Sequence, residues 1–160
     1  MFGRSTRRPE AVHARASVTI ARPPSTVMDF LLDPRSAVLT GQLTERSLHL
    51  TDTPPRERGA QFVSISRQDG LLVAEVEELV ELDYPHRAVS VNLTSPGNIT
   101  VAYTCAASTS GGTDYTQEVW MSPGPGRAAH LQGLFESETE RSVNRIKQVL
   151  EAGEWTAPGE

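Results

Sequence analysis

The stretch SVTIARPPSTVMDFLLDP, residues 17–34, decides the architecture that the sequence predicts. Val18 and Ile20 alternate with hydroxyl residues, and this period of two predicts a strand over residues 12–21. The pair Pro23-Pro24 ends the strand, because proline has no backbone N–H to donate to a sheet. The residues after the prolines have a helical period instead.

Two short helices are predicted directly after this first strand. The first begins with Ser25 or Thr26 as its cap and ends near Asp33-Pro34, since a residue before proline avoids helical geometry. The second covers residues 35–41. A strand followed at once by two short helices is a specific layout.

Most of the remaining chain alternates between apolar and polar residues, which predicts six further strands between residues 44 and 122. Turn residues separate these strands, and their short connections imply antiparallel neighbours. Glu77-Glu78 shifts the phase of one strand and predicts a bulge there. The apolar phase, taken as the inward one, comprises Leu48, Leu50, Val63, Ile65, Leu72, Ala74, Val76, Val89, Val91, Leu93, Ile99, Val101, Tyr103, Cys105, Tyr115, Gln117, Val119 and Met121.

The period changes to 3.6 after Pro123-Gly124-Pro125-Gly126, and this predicts one long helix over residues 128–151. Its apolar stripe consists of Leu131, Leu134, Phe135, Ile146, Val149 and Leu150. Seven antiparallel strands with one apolar face need a cover, and this helix is the only long amphipathic element. A curved sheet around a single helix cannot close everywhere, so we expect a deep cavity at the unfilled end.

Composition limits the class of protein. A length of 160 residues predicts a single domain, and a net charge of -5 argues against a nucleic-acid binder. The single Cys105 excludes an intrachain disulfide, and no apolar run approaches the roughly 20 residues that span a bilayer. We therefore expect a soluble, cytoplasmic protein whose domain covers residues 12–152, with a disordered tail at 1–11 and a C-terminal tail at 153–160.

The order of elements and several local motifs resemble a known fold family. The motifs are the strand-to-proline run 17–24, the helix end Asp33-Pro34, Gly59, and the turn 81–87, which reads ELDYPHR. They are similar to the SRPBCC superfamily, which includes polyketide cyclases/dehydrases, START proteins and birch-pollen allergens. The resemblance implies an α+β helix-grip fold: a curved seven-stranded antiparallel sheet wrapped around a long C-terminal helix, with two short helices after the first strand.

Candidate ligand-binding residues are those of the inward phase that carry polar groups. Tyr103, Cys105, Tyr115 and Gln117 bring such groups to an apolar interior, where they need hydrogen-bond partners. Tyr103 and Gln117 are candidates for catalysis, and they either bond each other or serve a ligand. The residues expected to face them from the long helix are Leu131 and Phe135. The opposite phase, expected on the solvated face, comprises Ser47, His49, Phe62, Arg67, Glu75, Asn92, Glu118 and Trp120.

Other chemistry has little support in the sequence. The four histidines show no spacing typical of metal ligands, so no metal site is expected. Cys105 has no histidine near it in the pattern, and Ser64 lacks the context of a serine nucleophile. We expect no cofactor.

Three functions remain open. The first, implied by the resemblance, is a polyketide cyclase or aromatase that encloses a hydrophobic molecule and orients it for aldol closure or dehydration. The second is a non-catalytic carrier or sensor of a lipid or other small molecule, slightly favoured because no carboxylate or histidine is expected to point inward. The third is a module that binds a protein partner. The chain is expected to be a monomer or homodimer.

One substitution tests the predicted site. If Tyr103 and Gln117 are held for a ligand, Gln117→Leu should preserve or raise stability and weaken binding of an oxygenated ligand. Tyr103→Phe should act in the same direction but less strongly.

Overall fold

A computed structural model describes residues 11–158. Residues 1–10 and 159–160, and with them nearly all of the predicted N-terminal tail, lie outside the described residues. The elements are β1 (Val12–Ile20), α1 (Pro24–Leu31), α2 (Arg35–Thr40), β2 (Thr44–His49), β3 (Gln61–Gln68), β4 (Leu71–Asp83), β5 (Arg87–Asn92), β6 (Thr100–Ala107), β7 (Thr113–Met121) and α3 (Ala128–Ala152).

The seven strands form one antiparallel sheet in the order β1-β7-β6-β5-β4-β3-β2. The predicted order of elements, the two short helices and the long C-terminal helix are confirmed. One detail differs. The N-cap of α1 is Pro23 and not Ser25 or Thr26, and it makes no capping bond because its side chain has no polar atom; Pro24, whose fixed φ suits a first helical turn, starts the helix.

The long helix α3 packs against the inner face of the sheet, mainly at β1 and β7. Its buried side chains include Val143, Ile146 and Val149. They join Ile20 and Phe30 in a core from which water is excluded, and burying each such side chain contributes about 1.5–3 kcal/mol. Only the C-terminal half of the predicted stripe is well buried, and Leu134 remains 60% exposed.

The chain beyond α3 also packs onto the domain. Gly153 adopts a left-handed conformation, with φ of 70°, which ends the helix. Trp155 is then buried edge-on against Phe30, with ring centroids 5.4 Å apart. Its indole N–H donates to the Asp33 carboxylate over 2.8 Å. This contact ties residues 153–158 to the connection between α1 and α2.

The predicted inward phase is correct for β1, β6 and β7. Directly paired residues of neighbouring strands share a face. Val18 lies opposite Tyr115, and Tyr103 lies opposite Gln117. All of these side chains point toward α3.

The predicted inward phase is wrong for β2 to β5. The residues that point outward are Leu48, Val63, Ile65, Leu72, Ala74, Val76, Val89 and Val91, which share a face by cross-strand pairing. The residues on the inner face include Ser47, His49, Phe62, Glu75 and Asn92, which the sequence pattern assigned to the outside. Arg67, Glu118 and Trp120 are on the outer face as predicted.

The reason for the error is physical. Alternation fixes the period of a strand, but it identifies the inner face only when the interior is apolar. Here the interior beside β2 to β5 is a partly polar cavity. The bulge of β4 also lies later than predicted, because the register with β5 shifts between Leu79 and Glu81.

Candidate functional site

A cavity of about 280 Å³ lies between the sheet, α3 and the connection from α1 to α2. Its apolar wall comprises Phe30, Leu31, Leu32, Pro34, Ala37, Phe62, Leu79, Val101 and Ile146. Its polar wall comprises Asp33, Ser36, Thr40, Ser47, Ser64, Glu77, Ser90, Tyr103, Gln117 and Ser142. The site is therefore amphipathic, with about as many polar as apolar side chains.

Five of the polar side chains form a band across the inner face of the sheet. Glu77 on β4 accepts a hydrogen bond from the Ser90 hydroxyl on β5 over 3.4 Å. Ser90 is the near neighbour of Tyr103 on β6, and Tyr103 lies directly opposite Gln117 on β7. Gln117 accepts a bond of 3.2 Å from Ser142 on α3. The polar band thus links four adjacent strands to the helix.

Glu77 is the ionisable group at one end of the polar band. Protein atoms surround much of its half-buried side chain, and this burial raises the pKa of the carboxyl. The negative charge of Glu75, two residues away on the same face, raises the pKa further, and the bond from Ser90 only partly offsets these effects. A carboxyl with a raised pKa keeps its proton to a higher pH than usual, so Glu77 is suited to donate one.

Tyr103 occupies the centre of the polar band. Burial and the nearby Glu77 charge raise its pKa well above the usual range, while a hydrogen bond with Ser90 lowers it in part. Its hydroxyl therefore stays neutral at every physiological pH. A neutral phenol at this place can donate a hydrogen bond to an oxygen in the cavity.

Gln117 connects the polar band to the core. Its Oε1 accepts a bond of 3.0 Å from the Tyr115 hydroxyl as well as the bond from Ser142. Tyr115 is fully buried, so Gln117 is what satisfies that hydroxyl. Among the described residues, the hydrogen bonds of the Gln117 side chain fall on Oε1, and its amide nitrogen is left to donate into the cavity. Gln117 is therefore a structural partner and a cavity residue at once.

The structure brings some predicted site residues to the cavity and not others. Tyr103 and Gln117 line the wall, while Tyr115 stands behind it. Cys105 is buried in the core away from the lining, and burial raises the pKa of its thiol to about 12. Leu131 and Phe135 lie near the start of α3, half-exposed and outside the lining.

Several cavity residues were missed by sequence reasoning, and Glu77 is the most important of them. Ser47, Ser64 and Ser90 were missed because small polar residues on an alternating strand resemble a solvated face, and Ser142 was missed because it lies outside the apolar stripe predicted for α3. One signal was present. Glu77-Glu78 interrupts an otherwise apolar run, and one of two adjacent strand residues must face inward.

Asp33 is a second carboxyl of the cavity wall, and its pKa shifts in the opposite direction to that of Glu77. Burial acts to raise the pKa of Asp33, but hydrogen bonds from Arg35 and Trp155 outweigh it and hold the pKa below its usual range. Asp33 is therefore an ionised anchor for the C-terminal segment. Its bonds are already made, so it is less available to a ligand than Glu77.

The described part of the chain offers little to a metal ion. Within residues 11–158, no group of three or more His, Cys, Asp or Glu side chains converges. In the same range, no helix combines the length and the apolar character needed to cross a bilayer.

A seven-stranded sheet folded around one long helix, with a lined cavity between them, defines the helix-grip fold. The chain belongs to the polyketide cyclase/dehydrase and lipid transport family, whose sequence model matches residues 11–151. No curated protein is similar enough in sequence to count as a match.

Solved structures with the same fold include cyclases. The ZhuI aromatase/cyclase of a Streptomyces species superposes with a TM-score of 0.72 at 17% identity, covering 94% of this chain and all of that one (100%). StfQ, a di-domain aromatase/cyclase of the steffimycin biosynthetic pathway, gives 0.71 at 13% identity, with 92% of this chain covering 54% of it. A Staphylococcus aureus protein of unknown function gives 0.75 at 10% identity, with 92% and 98% coverage. At these identities the similarity shows the fold alone.

Proposed function

We propose that this chain binds a small, oxygenated and mainly apolar molecule in the cavity and catalyses an aldol-type ring closure on it, as a cyclase. The observation that carries the proposal is Glu77, a carboxyl with a raised pKa that faces the cavity close to the neutral Tyr103 hydroxyl. Carboxyls with a shifted pKa, placed in a cavity beside a second hydrogen-bond donor, are typical of acid–base sites. The family, which includes cyclases and lipid transporters, supports an apolar ligand.

The reaction needs only a proton relay. In an aldol closure, an enol carbon bonds to a ketone carbon within the same molecule. The ketone oxygen gains a proton and the enol hydroxyl loses one, so atoms and charge balance without an oxidant or a further reactant. Glu77 donates the first proton and its carboxylate takes up the second, which restores the acid. Tyr103 and the Gln117 amide hold the oxygen atoms in place.

The dimensions of the cavity limit the substrate. Ligand pockets usually enclose roughly 300–1,000 Å³, and this cavity of about 280 Å³ lies at the lower end. It fits one or two rings, or the reacting part of a longer chain. The polar band suits carbonyl or enol oxygens on one side of the ligand, while Phe30, Phe62 and Leu79 suit its apolar side.

The test is turnover of a synthetic linear triketide ester by the full chain. We expect the wild-type protein to accelerate the formation of the cyclised product, measured by chromatography, over buffer alone. Glu77→Gln removes the transferable proton and keeps the shape, so it should lower the rate by about 10²–10⁴-fold while binding, measured by native mass spectrometry, persists. Glu78→Gln, the same change one residue along on the outer face, is the control and should retain the wild-type rate.

The outcomes distinguish a cyclase from a non-catalytic carrier. Binding of the triketide without turnover by the wild-type protein would contradict the cyclase and favour the carrier. Equal rates for Glu77→Gln and the wild type would show that another group transfers the proton.

A further inference from the structure

The outer face of β2 to β5 carries an apolar surface that the cavity does not explain. We call it the outer patch and define it by Leu48, Val63, Ile65, Leu72, Val76 and Val91, which share one face of the sheet. Leu48 is 53% exposed and Leu72 is 60% exposed. All three helices contribute to the cavity on the opposite face, so none of them covers the patch.

The rest of the same face shows what a solvated surface looks like in this protein. On β1, β6 and β7 it is mostly polar and carries Arg15, Ser17, Thr104, Thr116 and Glu118, together with Trp120, whose ring stacks on that of His13. An antiparallel sheet with one face in water is normally polar on that face, and these strands follow the rule. The β2 to β5 strands break it, which is typical of a surface that is covered in the working protein.

The patch has the size of the core of an interface, not of a whole one. Strands lie about 4.8 Å apart and same-face residues along a strand lie about 6.8 Å apart, so each residue covers about 33 Å² and the six residues of the patch cover roughly 200 Å². This is about a quarter of the roughly 800 Å² per partner that a stable interface covers. The charged residues around the patch supply the remaining rim.

Two residues of opposite charge lie within the outline of the patch, Arg46 paired with Ile65 and Glu78 paired with Val91. Val63 is at its centre, paired with Leu48 on one side and Val76 on the other. Arg46 lies one strand and one row from Val63 in one diagonal direction, and Glu78 lies one strand and one row away in the other. A two-fold axis that lies between two facing sheets, passes Val63 and runs perpendicular to the line from Arg46 to Glu78 places Arg46 of each copy over Glu78 of the other. The patch is complementary to itself.

We propose that the outer patch binds a second copy of this chain and forms a two-fold symmetric dimer. A partner of uniform charge would meet a like charge at either Arg46 or Glu78, whereas a second copy meets an opposite charge at both residues. The apolar centre supplies the affinity, and the Arg46–Glu78 pairs fix the orientation. The cavity opens on the other face, so both copies keep access to their ligand.

The test is the mass of the full chain in solution, measured by light scattering and sedimentation from 1 to about 100 μM. We expect a dimer for the wild type, and a dissociation constant raised about 30-fold or more by Val63→Asp. Leu48→Ser is a milder second variant if Val63→Asp fails to fold by circular dichroism. Thr104→Asp, on the polar part of the same face, should leave the dimer unchanged.

A charge exchange tests the proposed orientation. Arg46→Glu and Glu78→Arg should each weaken the dimer, and the double variant should restore it, because the two charges then meet with their signs reversed. A monomeric wild type at 100 μM overturns the proposal and leaves the patch to a different partner. A dimer that persists in Val63→Asp and Leu48→Ser, both correctly folded, places the interface elsewhere.

Discussion

The two halves of the sheet use the same sequence pattern in opposite ways. In β1, β6 and β7, apolar side chains such as Ile20 and Val119 face α3, and the polar ones face water. In β2 to β5, polar side chains such as Ser90 and Glu77 face inward, and apolar ones such as Val63 face outward. The first half mainly forms the wall of the core, although Tyr103 and Gln117 reach the cavity, and the second half forms most of the strand wall of the site.

The comparison shows that alternation alone does not tell which face of a strand points inward. A sheet stabilises its fold by turning apolar residues toward whatever excludes water. For the first half this is α3. For the second half the cavity replaces the helix, and the inner face is free to carry polar groups that serve a ligand. Variants that distinguish the two halves test this interpretation directly.

The largest expected effect on stability comes from replacing isoleucine by alanine in one half of the sheet, compared with the same replacement in the other half. Ile20→Ala removes a fully buried side chain from the core and should lower the free energy of unfolding by about 2–5 kcal/mol. Ile65→Ala removes the same atoms from the half-buried outer face and should lower it by less than about 1 kcal/mol. Urea unfolding at a protein concentration below that of self-association measures both values.

The control for this pair is the m-value, which should stay constant if both variants unfold in two states. Similar losses for the two variants would mean that Ile65 is buried within the monomer. The reversed phase of β2 to β5 would then be wrong.

Much of the fold could be predicted from the sequence. The prolines at 23–24, the period of two, the turn residues and the final period of 3.6 determine the element order, and the structure confirms it. These signals are local, so each can be recognised in a short stretch. The phase of β2 to β5 is not local, because it depends on whether a helix or a cavity lies opposite each strand.

The site was predictable only in the half that has an apolar interior. Tyr103 and Gln117 were found because they interrupt an apolar phase that does face inward. Glu77 was assigned no role, because its phase looks like a solvated surface. Its inward position depends on the pairing of β4 with β3 and β5, which no single strand reveals.

An intermediate loss of stability is expected from Gln117→Leu, at the place where the two halves of the sheet meet. This reverses the expectation from the sequence that the substitution preserves or raises stability. Gln117→Leu leaves the fully buried Tyr115 hydroxyl without its acceptor, so it should destabilise the protein by about 1–3 kcal/mol rather than preserve its stability. Tyr115→Phe together with Gln117→Leu removes both partners and should recover most of the loss. Thermal unfolding of the two single variants and the double variant measures the coupling. Additive losses would show that the Tyr115–Gln117 bond contributes nothing.

The smallest change in stability is expected from Glu77→Gln, and the informative result is whether that change is a gain or a loss at high pH. The folded protein raises the pKa of Glu77 by burial and by the charge of Glu75, from an ordinary value of 4.5. The stability that the protonated carboxyl contributes is therefore complete below pH 4.5 and is lost as the pH rises through the raised pKa. Glu77→Gln cannot ionise, so it should be as stable as the wild type at pH 4 and more stable than the wild type at pH 8.

The matched control separates this gain from a general effect of removing a charge. Glu78→Gln makes the same change on the outer face, where Glu78 accepts a bond of 2.7 Å from Gln61, and no gain at pH 8 is expected. Urea unfolding across the pH range measures the three proteins. A loss of stability in Glu77→Gln at pH 8 would show that the carboxylate is a structural partner. If Glu77→Gln instead gains stability at pH 8 and loses turnover, the Glu77 carboxyl serves catalysis, because a group that destabilises the fold is retained for its chemistry.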